Sequence, residues 1–262
     1  MKVSIAVAAH KPYRMPDEQC YLPLHVGCEG KESIGFTGDN TGDNISIKNS
    51  TFCELTGLYW MWKNSDADYI GLVHYRRYFA GKKRATKSGQ ADVFDRVLSE
   101  KELCALLAET DIIVPKKRRY YIETDYSHYA HTHYAEHLDI TREIISEQCP
   151  EYLAAFDKAM KRTSAHMFNM FVMSREKCGA YCEWLFRILD ELEKRVDTTG
   201  YSAFQARLFG RVSELLLDVW LETNKFSYKE VRVINMEKLH WGKKIKSFIQ
   251  ARLFHKKYES SF

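Results

Sequence analysis

Short apolar runs that stop abruptly on polar residues, separated by stretches with helical periodicity, constrain this chain more than any other feature. Val3-Ser4-Ile5-Ala6-Val7-Ala8-Ala9 stops at His10-Lys11-Pro12, Tyr69-Ile70-Gly71-Leu72-Val73 stops at His74, and Asp111-Ile112-Ile113-Val114 stops at Pro115. Phe168 to Met173 reads the same way, and Val231 to Ile234 reads as a last short strand. Runs this short and continuously apolar fit strands buried on both faces. Between them Phe52, Leu55, Leu58, Tyr59 and Trp62 fall on one helical face. Thr51 with Glu54 and Ser99 with Glu102 read as capping boxes opening helices to about Asn64 and Glu109. Helices are expected over 139–148 and 151–161, broken at Pro150, and over 175–195 and 202–223. Strands alternating with helices predict an α/β fold with a largely parallel sheet. The stretch from His10 to about Lys48 reads as one long loop, and residues 80–92 as a mobile one.

The segment His74-Tyr75-Arg76-Arg77-Tyr78-Phe79 sets the chemistry. Ligands of open α/β sheets bind at the carboxyl ends of the strands. Two guanidiniums and an imidazole there suit a diphosphate, because the planar guanidinium fork grips two oxygens at once. His10 and Lys11 follow the first strand and face the same edge. In Gly42-Asp43-Asn44-Ile45-Ser46-Ile47-Lys48 the glycine permits a tight loop, Asp43 and Asn44 can read ribose or base, and Lys48 can meet phosphate; turn chemistry alone explains the same residues. Glu214, among apolar residues of a helix, can serve as a general base or pair with a cation.

Metal is not expected. Asp66-Ala67-Asp68 precedes its strand, where the sugar-nucleotide Asp-x-Asp motif follows one, and reads as a turn. His133 and His137 have i, i+4 spacing, but Glu136 does not complete His-Glu-x-x-His. The polar stretch 120–138, where tyrosines and histidines alternate with acids, is read instead as an acceptor-binding loop, with Tyr129 and His133 as its binding residues, or as a simple polar helix. Seven scattered cysteines without Cys-x-x-Cys argue against a disulfide framework and fit a cytoplasmic protein. A net charge of +4 is too mild to indicate nucleic acid. The start has no signal-peptide anatomy, and no apolar run approaches the roughly 20 residues that span a bilayer. The segment 237–262 carries Trp241, Ile245, Phe248, Ile249 and Leu253 at helical spacing among lysines and arginines. It reads as a basic amphipathic helix that either lies on an anionic membrane or packs with one face solvated, set apart from a domain over 1–236.

These blocks, in this order, resemble the bacterial family labelled domain of unknown function 4422, which occurs with capsule, exopolysaccharide and O-antigen genes. The likeness rests on Val7–Lys11, Gly42–Asn49, Glu54–Asn64 and above all His74–Phe79. It continues through Asn169–Met173, Tyr181–Phe186 and Ser213–Leu216. Where the family reads Ser-Glu-Arg-Leu, this chain has Ser213-Glu214-Leu215-Leu216, without the arginine beside the carboxylate. The resemblance implies a GT-A-like glycosyltransferase. It would use a nucleotide-sugar donor, UDP-galactofuranose in some relatives, and a glycan or lipid-linked acceptor. It also adds Asn169 to the donor-binding set. In such an enzyme His74, Arg76 and Arg77 would take the place of the metal, with manganese or magnesium as the alternative, and the reaction would invert the sugar, with retention as the other option. The rival is a non-catalytic glycan-binding or scaffold subunit of a polysaccharide assembly complex.

Overall fold

The computed structural model describes residues 1–82 and 92–237. The expected amphipathic C-terminal helix and the tip of the expected 80–92 loop lie outside the described residues. In chain order the elements begin with β1 (Val3–Ala9), β2 (Tyr21–His25), β3 (Thr37–Gly38), α1 (Asn49–Phe52), α2 (Leu55–Asn64), β4 (Tyr69–His74) and β5 (Arg77–Phe79). Next come α3 (Glu100–Leu107), β6 (Ile112–Pro115), β7 (Arg118–Arg119), α4 (Asp125–Thr132), α5 (Glu136–Gln148), α6 (Leu153–Met160) and β8 (Ser164–Ala165). The rest are β9 (Phe171–Ser174), α7 (Arg175–Arg195), α8 (Leu208–Thr223), β10 (Lys229–Val231) and β11 (Val233–Asn235). The chain divides into two compact units: Met1–Lys116 with Phe168–Glu183 and Ser227–Glu237, and Lys117–Met167 with Trp184–Phe226.

The first unit carries a mixed, mostly parallel sheet in the order β10-β6-β9-β4-β1-β2-β3, flanked by helices. Only β9 runs against its neighbours along this path. β5 folds back from β4 and pairs with β11. Ile5, Val7, Leu72, Val73, Ile113 and Val172 are fully buried, as strands covered on both faces require. Ser99 caps α3 as expected, accepting from Glu102 N at 3.3 Å while the Glu102 carboxylate accepts from Ser99 N at 3.0 Å.

Three expectations need correction. The loop from His10 to Lys48 contains β2 and β3, both parallel to β1. Pro23 sits in the middle of β2, although proline is disfavoured inside a sheet. Its missing N–H costs nothing, because the bonds to β1 alternate from Cys20 O (from Ile5 N, 2.7 Å) to Val26 N (to Ala9 O, 2.9 Å) and leave position 23 facing away. The Thr51–Glu54 capping box does not form. Cys53 adopts a left-handed φ of 54° between α1 and α2, Thr51 bonds back to Lys48 O, and Glu54 turns elsewhere. Finally, Phe168 and Asn169 precede β9 rather than open it, at φ of 81° and 51°.

The second unit is helical, with the β7–β8 ribbon as its only sheet among the described residues. Almost every residue of α8 from Leu208 to Leu221 is buried, so α8 is its central helix. The expected polar stretch 120–138 includes α4, whose Thr124 accepts from Ser127 N at 3.0 Å. Its histidines and tyrosines masked the short apolar face that Tyr129 provides.

Candidate donor site at the carboxyl edge of the sheet

The parallel strands β1, β2, β3 and β4 all end on one edge of the first unit. The antiparallel β9 begins there, because Leu72 pairs with Phe171. From β1 the chain goes to β2 on one side, and β4 lies on the other. The carboxyl ends of β1 and β4 are therefore a topological switch point, the usual ligand position in open α/β sheets. His10 follows β1 there, and His74 ends β4.

The His74–Arg77 pair is built by a hairpin. β4 turns through Tyr75 and Arg76, and β5 returns with Arg77 directly opposite His74. A directly opposed pair carries its side chains on one face. The His74 Nε2–H donates to the Phe168 carbonyl at 2.6 Å, since a carbonyl can only accept. The Arg77 guanidinium lies over the Phe168 ring, 4.7 Å from its centre. Asn169 Nδ2 donates to Glu54 Oε1 at 2.8 Å, and the same oxygen lies 3.8 Å from His74 Nε2. His74, Arg77, Phe168, Asn169 and Glu54 thus form one cluster. The left-handed backbone at Phe168 and Asn169 aims the carbonyl at His74 and the amide at Glu54; consecutive non-glycine residues in that region are held by their surroundings.

Arg76 stands apart from this cluster. It lies 5.1 Å from the Tyr75 ring centre and pairs with Glu237 at 3.4 Å. Lys11 and His10 also meet Tyr75, at 5.6 and 5.3 Å from its ring centre. Lys11, His10 and Arg76 therefore gather around one phenol, whose pKa is raised chiefly by burial.

The Gly42–Lys48 block is mainly a scaffold. Asn44 spends both amide atoms locally, donating to Gly42 O at 3.0 Å and accepting from Ser46 N at 3.1 Å. Asp43 is exposed and accepts from the Tyr59 hydroxyl at 3.1 Å. Lys48 lies over the Phe52 ring at 5.2 Å. Gly42 is required: its φ is 56°, and a Cβ would sit 2.1 Å from Asn64 Oδ1. Beneath the loop the fully buried Asp39 accepts from Gly27 N at 2.8 Å, Cys28 N at 3.2 Å, Thr56 Oγ1 at 2.6 Å and the Ser46 hydroxyl. Of these carboxylates, Glu54 hid behind the capping pattern. The Gly38-Asp39-Asn40 turn composition hid Asp39.

Asp66 and Asp68 lie at the opposite, amino end of β4. Asp66 pairs with Lys2, and Asp68 accepts from Lys2 N at 2.7 Å, so the segment is a turn tied to the start of β1. Among the described residues no cluster of three or more histidine, cysteine or acidic side chains is arranged for a metal.

Within the second unit, Glu214 is buried and pairs with Arg211 at 3.1 Å. Arg211, in the preceding turn of the helix, is the cation that pairs with it. His133 and Tyr129, read from the sequence as acceptor-binding residues, are both buried. Tyr129 bonds His137 Nδ1 at 2.9 Å, and His133 stacks on Phe204 and bonds Gln205 at 3.0 Å. Burial pushes His133 down to about 3. His133 is the extended residue that ends α4, whereas His137 lies in α5, so their spacing is not that of one helix. Asp218, one turn beyond Glu214, bonds His166 Nδ1 at 2.6 Å and lies 3.3 Å from Lys117. Burial opposes its ionisation, but these partners hold it below the usual carboxylate range.

Asp125 has a buried Oδ1 without a partner. Burial first, and the Asp218 charge second, push it up to about 7. The unfolded chain loses this proton near pH 4, the folded chain near 7, so Asp125 makes stability fall as pH rises between those values. Asp125→Asn should flatten that part of the pH–stability curve and raise the unfolding midpoint at pH 8. Thermal melts from pH 4 to 8 check both.

A family model described as "Domain of unknown function (DUF4422)" matches residues 4–225. The chain belongs to this family. Among solved structures it is similar to the apo structure of WbbM, a bifunctional glycosyltransferase, with 31% identity and a TM-score of 0.81. The likeness covers 91% of this chain and 46% of that one, so this chain spans less than half of WbbM. Its mixed, mostly parallel sheet flanked by helices is GT-A-like, in line with that neighbour. No curated protein matches. Among the described residues no helix is long and apolar enough to cross a membrane.

Proposed function

We propose that this chain is a glycosyltransferase. It moves a sugar from a nucleotide-diphosphate donor to a growing surface polysaccharide or lipid-linked glycan, on the cytoplasmic side of the cell membrane. The observation that carries the reading is the His74–Arg77 pair at the switch point, with Asn169 and Glu54 behind it. Membership of the family and the likeness to a glycosyltransferase support it. UDP-galactofuranose is the first donor to try, on the strength of the resemblance.

In an inverting transfer the acceptor oxygen attacks the anomeric carbon while the bond to the diphosphate breaks. Negative charge then grows on the leaving phosphate. Arg77 meets that charge with a fixed guanidinium, the task a divalent metal performs in Asp-x-Asp enzymes, while His74, its Nε2–H given to the Phe168 carbonyl, stands opposite it. Lys11 and Arg76, around Tyr75, add positive potential in the same unit. The acceptor hydroxyl gives its proton to a general base, the role the sequence reading gives Glu214. The products are the glycoside and the nucleoside diphosphate.

The deciding experiment measures nucleoside diphosphate release and glycan extension over a nucleotide-sugar panel, with EDTA and with manganese. Transfer from one donor that survives EDTA is expected. Strict manganese dependence overturns the metal-free part, and no turnover with any donor leaves the glycan-binding subunit as the reading. Glu214→Gln should lower kcat by about 10²- to 10⁴-fold with little change in KM if Glu214 is the base. A lowered melting point with near-normal kcat would make the Arg211 pair purely structural.

A further inference from the structure

The turn between β7 and α4 shows a rigid, unpaired tip. Arg118 and Arg119 pair with Ala165 and Ser164 of β8. Both side chains are exposed, and no carboxylate pairs with either among the described residues. Arg118 only lies over the Tyr120 ring, at 5.1 Å. The chain is then pinned at both ends, by Tyr120 N to Thr163 O at 2.8 Å and Asp125 N to Arg162 O at 2.7 Å. Between the pins Ile122 N bonds Tyr120 O at 2.7 Å, with Tyr121 at a φ of 63°. This is a γ-turn, and it thrusts Tyr121 and Ile122 outward. Tyr121 is 81% exposed and Ile122 61%. They are the only sequence neighbours among the large exposed hydrophobic residues described, so the tip is a patch rather than scatter.

The patch is positive and apolar at once, which selects its partner. An acidic glycan would satisfy the guanidiniums and leave Ile122 in water. A bilayer with anionic headgroups takes both: guanidinium meets lipid phosphate, the tyrosine ring sits at headgroup level, and isoleucine reaches the acyl boundary. We propose that the Arg118–Ile122 edge docks this protein on an anionic lipid surface.

The test is co-sedimentation of the full chain with phosphatidylglycerol–phosphatidylcholine vesicles and with pure phosphatidylcholine vesicles. Binding to the anionic vesicles alone is expected. Arg118→Ser with Arg119→Ser should weaken it about 30-fold, each arginine contributing a factor of about five or six. Tyr121→Asn with Ile122→Ser should also weaken it; asparagine tolerates the left-handed backbone. Ile122→Trp, which only adds apolar surface at an exposed position, should strengthen it. Unchanged melting points show that the variants fold. No binding to anionic vesicles overturns the proposal. So does binding that neither double variant alters, which assigns the contact to another segment. Loss with the arginine variant alone, together with competition by a soluble polyuronate, identifies an acidic-glycan surface and also overturns it.

Discussion

Arg77→Ala lowers kcat/KM for sugar transfer by about 10²- to 10³-fold, the usual loss when one preorganised donor to a developing oxyanion is removed. The reason lies in its fixed placement. Arg77 is held opposite His74 by strand pairing and against the Phe168 ring, so little reorganisation is needed as the diphosphate departs. The guanidinium is half-buried and not part of the core, so the melting point should move little. Arg77→Lys should recover only part of the loss, since an ammonium keeps the charge but not the fork. Arg76→Ala, at the exposed turn beside Tyr75, should cost less than Arg77→Ala. Steady-state kinetics on the best donor, with nucleoside diphosphate affinity measured by calorimetry, separates these outcomes. Equal rates for Arg77→Ala and the parent chain would remove the donor-site reading.

Asp39→Ala destabilises the first unit by about 4 kcal/mol, through loss of the acceptor for two backbone amides and two hydroxyls in a fully buried place. That corresponds to a melting point lower by about 10 °C. The carboxylate ties the ends of β2 and β3 to α2 through Gly27, Cys28 and Thr56, and Ser46 brings in the Gly42–Lys48 loop. Asp39→Asn keeps the shape but exchanges one acceptor oxygen for a donor, so it should fall between the two. Differential scanning calorimetry gives the midpoints. A change under 2 °C for Asp39→Ala would show that water replaces the carboxylate and that the loop is not anchored there.

The strands of the sheet were legible wherever burial on both faces made the apolar run continuous. β1 spans the expected residues, and β4 runs one residue further, to His74. α7 also spans 175–195 as its periodicity predicts. β2 was hidden because its proline denies a ladder bond only if that side of the strand is paired, and the side is known only once β1 is in place. The site was half legible. His74, Arg77 and Asn169 were named from the sequence and stand in one cluster. Asn44 was named as a reader of ribose or base, yet its own loop uses both amide atoms. Tyr129 and His133 look like surface polar residues in a string of histidines but lie inside a helical unit.

The sequence by itself determined the α/β alternation, the carboxyl-end position of His74, and the charge of the segment that follows it. These depend on local pattern: apolar runs, turn residues and the abrupt change to arginine. Tertiary structure alone decided that Arg77 and not Arg76 faces His74, because a two-residue turn sets which side chains share a face. It also decided the partner of Glu54. Three residues after a threonine, a glutamate reads as a cap; a left-handed Cys53 and an incoming Asn169, 115 residues away in sequence, turn the same carboxylate to the candidate donor site. Local sequence can specify a hydrogen-bonding group, but only the packed chain fixes which of its satisfiable partners comes within reach.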